Sequence, residues 1–343
     1  MTLKEKIGRL FILGFKGSSI NPDDPIGRDI TKHHLGGVIL FDRLLALKAT
    51  DNNIISTDQV QSLIKGLQDL SSFPLFIAVD QEGGQVRRLR EKHGVPATPT
   101  AESLGSGNDP ALTAMHSRTC SAILKKLGFN FNLAPVVDLN SFSENPVIGK
   151  LERSFSPDPQ TVFEHAAAWI EEHRKNGLIS CPKHFPGHGS SRTDSHLGFT
   201  DISNYWGEEE LLPYQKLIKA GLADAIMTGH LFHQQLDSDY PATLSKKTIK
   251  GMLRGRLGFE GVVVSDDLQM RAIGERYPMD KAVTLALQAG VDLLVIGNNL
   301  RYEPDILGTL IQSTVRNVEN GILAESLIDR AFERVEHLRA KIS

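Results

Sequence analysis

The stretch PALTAMHSRTCSAILKKLGFNFNLAPVVD (110–138) sets the architecture of the chain. Pro110 opens a helix that runs to Leu127, Gly128 stands at the C-cap position, and an apolar strand run follows that ends in Asp138. The same order recurs along the sequence. Helical patterns at Pro159–Asn176, Glu208–Ala220, Lys246–Leu257 and Asp280–Ala289 are followed by Gly177, Gly221, Gly258 and Gly290, and each glycine precedes an apolar run. Thr57–Leu70, with Thr57 as N-cap, carries Val60, Leu63, Ile64 and Leu67 on one face, and Ala324–Lys341 forms a last helix.

The apolar runs lie at 9–15, 36–41, 74–80, 129–138, 178–185, 223–230, 261–266 and 291–297. Several are apolar almost throughout, as strands buried on both faces of a parallel sheet must be. Eight such runs alternating with helices predict an α/β fold, a (β/α)8 TIM barrel forming one domain over residues 1–343. In that architecture chemistry belongs to the loops leaving the C-terminal strand ends. There the runs place Asp80, Asp138, Lys183, His184, His230, Asp266 and Asp267. Charges at buried strand ends cost desolvation unless paired or used, and so many on one mouth point to a site.

Composition narrows the function. The 38 Lys+Arg against 41 Asp+Glu leave a net charge of −3, without the basic excess of a nucleic-acid or membrane-surface protein. Cys120 and Cys181 are too few for a disulfide scaffold and read as buried free thiols. The longest apolar run is far short of a membrane span, and the N-terminal residues lack the apolar block of a signal peptide, so a cytoplasmic enzyme is expected.

Three segments carry the chemistry. KHFPGHGSSRTDSH (183–196) starts at a strand end and enters a Gly- and Ser-containing loop that reads as flexible. Lys183 and His184 are donors suited to sugar-like hydroxyls or an anion, while Asp194 can orient His196 and favour its protonated form. In VDQEGGQVRR (79–88), Asp80 can accept from two neighbouring hydroxyls and Arg88 offers a planar fork of donors. Glu82 reads as a structural partner of Arg87 or Arg88, and Gly83-Gly84 permits close backbone approach. In GVVVSDDL (261–268), Asp266 projects into the mouth as nucleophile, metal ligand or structural acid, and Asp267 points elsewhere by strand alternation.

These residues resemble a known family. KHFPGHGSSRTDSH is similar to the long signature of the β-N-acetylglucosaminidases of glycoside hydrolase family 3, the NagZ type. VDQEGGQVRR, GVVVSDDLQM and IGKLERSF (148–155) resemble further blocks of that family, in its order. The resemblance implies a retaining exo-β-N-acetylglucosaminidase (β-N-acetylhexosaminidase) with Asp266 as nucleophile and His196, polarised by Asp194, as acid/base. Asp80, Arg88, Arg153, Lys183 and His184 would bind the sugar. It further implies N-acetylglucosamine-containing saccharides (muropeptides) as partners in cell-wall recycling, a monomer, no cofactor and no metal. The family often has glycine where this chain has Ser156, so that turn is expected to change or carry strain.

Other readings compete. A metal-dependent hydrolase would draw on His184, His188, Asp194, His196, His230 and Asp266. Lys183 would serve as a Schiff-base lysine in another, and a sugar-binding barrel without catalysis is a third. His230 is expected to line the mouth. His33, His34, His93, His116, His165 and His173 read as surface or helix positions without partners, and Trp169 and Trp206 as packing.

Overall fold

The structure, a computed structural model, describes residues 1–342. The helix predicted from Pro110 spans Pro110–Leu127, with Asp109 accepting from the Ala111 N–H at its start. Gly128 closes it at φ 97°, a left-handed conformation that costs glycine little. Gly290 does the same at φ 110° after the helix Met279–Ala289. The N-cap of Thr57–Leu70 is Ser56 rather than Thr57, because the Ser56 hydroxyl accepts from the Gln59 N–H. Two predicted helices differ in kind. Glu208–Leu211 is a 3-10 turn leading into the helix Leu212–Lys219, which has Pro213 in its first turn. Lys247–Arg256 winds as a π-helix.

Eight strands occupy the predicted runs: β1 Phe11–Gly14, β2 Gly37–Ile39, β3 Phe76–Val79, β4 Phe131–Asn132, β5 Ile179–Ser180, β6 Ala225–Thr228, β7 Val262–Ser265 and β8 Leu294–Ile296. Their pairings are parallel. One ladder runs β8-β1-β2-β3-β4-β5, and β6 pairs with β7. β4 and β5 are shorter than their apolar runs because Pro135 and Pro182 bring no N–H to the ladder. Pairing resumes beyond them as isolated parallel bridges between Val136 and Lys183 and between Phe185 and Thr228. A further bridge joins Val264 to Leu293, immediately ahead of β8. The protein is thus an α/β fold with a mainly parallel sheet and helices packed against it.

Every residue of the eight strands is buried, and their side chains join helix residues such as Val60, Leu124, Ile170 and Ile328 in one apolar cluster. This explains why the runs lack a period of two. Among the described residues no helix is long and apolar enough to cross a membrane. Cys120 and Cys181 are free and buried, and burial pushes the Cys120 thiol up to about 12. His165 and His173 do have partners, contrary to the sequence reading. His165 meets the Thr113 hydroxyl at 2.7 Å, and His173 lies between Ser117 and Asn132 at 2.9 and 3.0 Å. His93, also buried, accepts from the Arg90 N–H at 3.0 Å. Trp169 stacks on His173, and Trp206 donates to the Pro186 carbonyl at 3.1 Å, so both serve packing.

Candidate active site

The C-terminal ends of β2, β3, β7 and β8 border a pocket that is open to solvent. Asp80, Arg88, His196, Asp266 and Asp267 line it, together with apolar Phe41, Leu133, Met227 and Met270. The segments after β3 and β7 and the long loop after β5 therefore send polar groups to one cavity, which no single stretch of sequence could do.

Asp266 follows the last residue of β7, and its N–H is spent on the Thr228 carbonyl of β6 at 3.2 Å. Its Oδ1 accepts the Asp267 N–H at 2.8 Å. Desolvation raises the carboxyl's pKa, but the combined charges of His230, His184 and His196 outweigh it and hold the group below its ordinary value. Asp267 also borders the pocket, but its carboxylate turns away to β8, as strand alternation predicts. Its Oδ1 is taken by the N–H groups of Gly297 and Gln269 at 2.8 and 3.0 Å, tying β7 to β8. Desolvation brings that carboxyl up to about 6. Two adjacent aspartates are thus separated by environment, one ionised and the other committed to backbone donors.

His196 and Asp194 sit on the loop after β5. The Asp194 Oδ1 accepts both the His196 N–H and its ring Nδ1 at 2.8 Å. This fixes the ring and leaves Nε2 for the pocket. Burial pulls the imidazole down, but the Asp194 hydrogen bond and then the Asp266 charge outweigh it and raise the pKa above the ordinary value. The loop base is less free than its glycines suggest. Residues 183–190 are all buried, while His196 is about half exposed.

Behind the pocket lies a row of alternating charges. Arg88 donates to Asp80 Oδ2 at 3.0 Å, and Lys183 Nζ donates to Asp80 Oδ1 at 2.9 Å and stands 2.8 Å from Glu82 Oε1. Arg153 grips Glu82 through two bonds of 2.8 Å. The sharp turn that brings Arg88 back over Asp80 is a short hairpin, Gln81–Gly83 against Val86–Arg87, turned by Gly83 at φ 113° and Gly84 at φ 52°. A Cβ at Gly83 would stand 2.4 Å from the Pro99 carbonyl, so the close approach anticipated there is real. Gln81 fastens the hairpin by accepting the Arg88 and Leu89 N–H groups and donating to the Leu89 carbonyl.

Of the predicted sugar-binding set, Asp80 and Arg88 reach the pocket wall. Lys183, His184 and Arg153 are buried behind it. His184 donates from Nδ1 to Asp138 Oδ2 at 2.7 Å, and its Nε2 lies 3.4 Å from Arg153 Nη2. Glu82 pairs with Arg153 and Lys183 rather than with Arg87 or Arg88, and Arg87 pairs with Glu91. His230 is buried, its ring nitrogens on the Thr243 hydroxyl and the Asp267 carbonyl at 2.8 and 2.9 Å. Ser156 brings no left-handed backbone. Positive φ falls on Glu152 instead, and the turn is held by the Asn140 N–H on the Ser156 carbonyl and by Ser156 Oγ on the Asp158 N–H.

Two residues escaped the sequence reading. Asp138, fully buried, accepts from the His184 and His188 N–H groups as well as from the His184 ring. It stands at a predicted strand end, and its proximity to His184 cannot be read along the chain. Gln81 had no signal beyond its place between Asp80 and Glu82.

Removing Glu82 leaves Arg153 with no carboxylate partner and strips Lys183 of one, in a place where both side chains of the Arg153 pair are 7% exposed. Glu82→Ala is expected to lose about 3–5 kcal/mol of folding stability by urea denaturation, the range for breaking one side of a buried pair. Desolvation opposes ionisation of Glu82, but Arg153 and Lys183 hold the carboxyl below its ordinary 4.5. This contribution is therefore complete above pH 4.5 and is lost as pH falls through the lowered value. A variant equal to wild type in urea midpoint would refute the assignment.

The sequence profile of the "Glycosyl hydrolase family 3 N terminal domain" matches residues 2–338. The chain belongs to glycosyl hydrolase family 3. This family 3 chain is 37% identical over 296 residues to a protein named beta-hexosaminidase from Tolumonas auensis, covering 84% of this chain and 82% of that protein. Among solved structures it is similar to a glycoside hydrolase family 3 beta-N-acetylglucosaminidase from Paenibacillus sp. str. FPU-7, with a TM-score of 0.91 and 33% identity. That match covers 100% of this chain but 63% of the Paenibacillus chain. Beta-N-acetylhexosaminidase from Beutenbergia cavernae matches at a TM-score of 0.88 and 28% identity, covering 99% of both chains.

Proposed function

We propose that this glycoside hydrolase is a retaining exo-β-N-acetylglucosaminidase (β-N-acetylhexosaminidase) that uses Asp266 as nucleophile and His196 as acid/base. The observation that carries the reading is one pocket lined by an ionised carboxylate on a strand end and by an imidazole whose Nδ1 is fixed on Asp194. In the first step Asp266 attacks the anomeric carbon. The bond to the leaving oxygen breaks as His196 delivers a proton from Nε2, leaving a glycosyl ester. In the second step neutral His196 takes a proton from water, the water attacks the anomeric carbon, and Asp266 departs as carboxylate.

Asp80 and Arg88 are placed to meet the hydroxyls of the terminal sugar, and the Lys183–Glu82–Arg153 row holds Asp80 ionised and oriented. The pairing of β1 with β8 and of β5 with β6 through the Phe185–Thr228 bridge supports reading the sheet as a (β/α)8 barrel in one domain. N-acetylglucosamine linked to 1,6-anhydro-N-acetylmuramic acid and its peptides is the substrate proposed, in cytoplasmic cell-wall recycling by a monomer. The related proteins' names support the sugar.

The test is hydrolysis of 4-nitrophenyl N-acetyl-β-D-glucosaminide beside the plain glucoside, with the first-formed anomer followed by NMR and the anhydro-disaccharide assayed separately. β-Anomer released from the acetamido sugar supports the reading. An initial α-anomer overturns retention, and inactivity of the folded protein on every sugar overturns the function.

The two lining groups also fix the sign of the pH dependence. Glycosylation needs Asp266 ionised and His196 protonated. The kcat/KM profile is therefore expected to fall on the acid side below 3.8, the ordinary value beneath which Asp266 is held, and on the alkaline side through the raised His196 value above 6.5. Asp194→Asn removes the main upward influence, so burial takes His196 down and the alkaline limb moves to lower pH. An unmoved limb in that variant would detach Asp194 from the acid/base.

A further inference from the structure

Resting on the reading of His196 as acid/base, we propose that His188 and Glu210 are positioning residues that brace the loop carrying it. The dyad stands at the far end of a loop, so something must hold it within bonding reach of a leaving oxygen, where an error near 1 Å costs about 10²-fold in rate. The brace begins at Gly187-His188-Gly189. The His188 N–H is held by Asp138 Oδ1 at 2.8 Å, and Asn145 Nδ2 donates to the His188 and Gly189 carbonyls at 2.7 and 3.0 Å. From the other side Glu210, 1% exposed, accepts the Gly189 N–H on Oε2 at 3.0 Å. The fit is tight. A Cβ at Gly187 would stand 2.5 Å from the Glu210 carboxylate, and one at Gly189 would stand 1.7 Å from the Leu139 carbonyl.

With its backbone locked, the buried His188 ring reaches across the loop and its Nε2 meets Ser195 Oγ at 3.2 Å. Ser195 is itself buried, lies between Asp194 and His196, and accepts the Ala272 N–H on its carbonyl at 3.3 Å. The dyad is thereby referred to the segment that follows the nucleophile. Both bracing groups are uncharged at neutral pH, since burial takes the His188 imidazole down to about 4 and the Glu210 carboxyl up to about 8. They fix the loop without adding a charge beside the Asp194–His196 pair.

A positioning role predicts a loss that depends on the leaving group. An aryl N-acetyl-β-D-glucosaminide with 2,4-dinitrophenol departs without proton donation, whereas the phenyl glycoside needs it. His188→Ala and Glu210→Ala are expected to lower kcat/KM for the phenyl substrate by about 10- to 100-fold and for the dinitrophenyl substrate by less than about threefold. Glu210→Gln, an isostere of the neutral acid, recovers most of the phenyl activity lost in Glu210→Ala. Ser195→Ala, which removes the His188 partner with little change of volume, shows the same discrimination and keeps the test open if the larger truncations do not fold. Equal losses on both substrates, or none, overturn the proposal while His196→Ala still discriminates. If His196→Ala loses both substrates equally, the acid/base reading fails, and the brace fails with it.

Discussion

Replacement of Asp266 by alanine is expected to reduce kcat on 4-nitrophenyl N-acetyl-β-D-glucosaminide by about 10⁴-fold or more, with folding intact. Without it the carboxylate left at β7's end is Asp267, which is committed to the Gly297 and Gln269 N–H groups and not free to form the glycosyl ester, and at 1.36 kcal/mol per decade the loss corresponds to about 5 kcal/mol or more of barrier. The structure adds a second readout. The Asp266 side chain accepts a hydrogen bond from its own neighbour at 2.8 Å and, among the described residues, makes no ion pair. Its desolvation is offset by the charges of His230, His184 and His196, so the alanine variant should melt close to wild type. Retained activity, or lost activity together with a large fall in melting temperature, would disprove the nucleophile assignment or recast the residue as structural.

His196→Ala should cost about 10²- to 10⁴-fold in kcat/KM on substrates whose leaving group needs protonation, the usual contribution of a positioned acid. Its effect on stability should be small, because the ring is about half exposed and bonds to Asp194 within the same loop. The alkaline limb of the pH profile should also disappear, since the group that titrates there is gone. A variant that keeps this limb would place the acid elsewhere, and the raised carboxyl of Asp267 would be the next residue to replace.

The fold was legible because its signals are local. A glycine that ends a helix in the left-handed region, as at Gly128 and Gly290, is announced by the helix before it and the apolar run after it. The eight strand positions followed from burial on both faces, which leaves no polar alternation to confuse. Strand lengths were less legible, because Pro135 and Pro182 interrupt the ladders inside apolar runs. Within the site, the Asp194–His196 contact is two residues long and was visible as a spacing. Contacts that close over many residues were not. Arg87 and Arg88 are the partners of Glu82 that the sequence suggests, yet it pairs with Arg153, from the loop after β4, and Lys183, from the segment after β5. Asp138 shows the same limit: nothing along the chain indicates that it receives three donors from the segment 184–188. The placement of Lys183, His184 and Arg153 behind the wall likewise depends on how deep each strand end sits.

The row Arg88, Asp80, Lys183, Glu82, Arg153 has a consequence for how such a chain can change over generations. Each member neutralises its neighbours, so altering one leaves an odd charge stranded in a poorly solvated place. Substitutions there should be tolerated in matched pairs and purged singly, making the row a correlated unit of inheritance rather than five independent positions. Variants selected for a different sugar would then be expected to leave this row intact and to change the apolar lining of Phe41, Leu133 and Met270 instead.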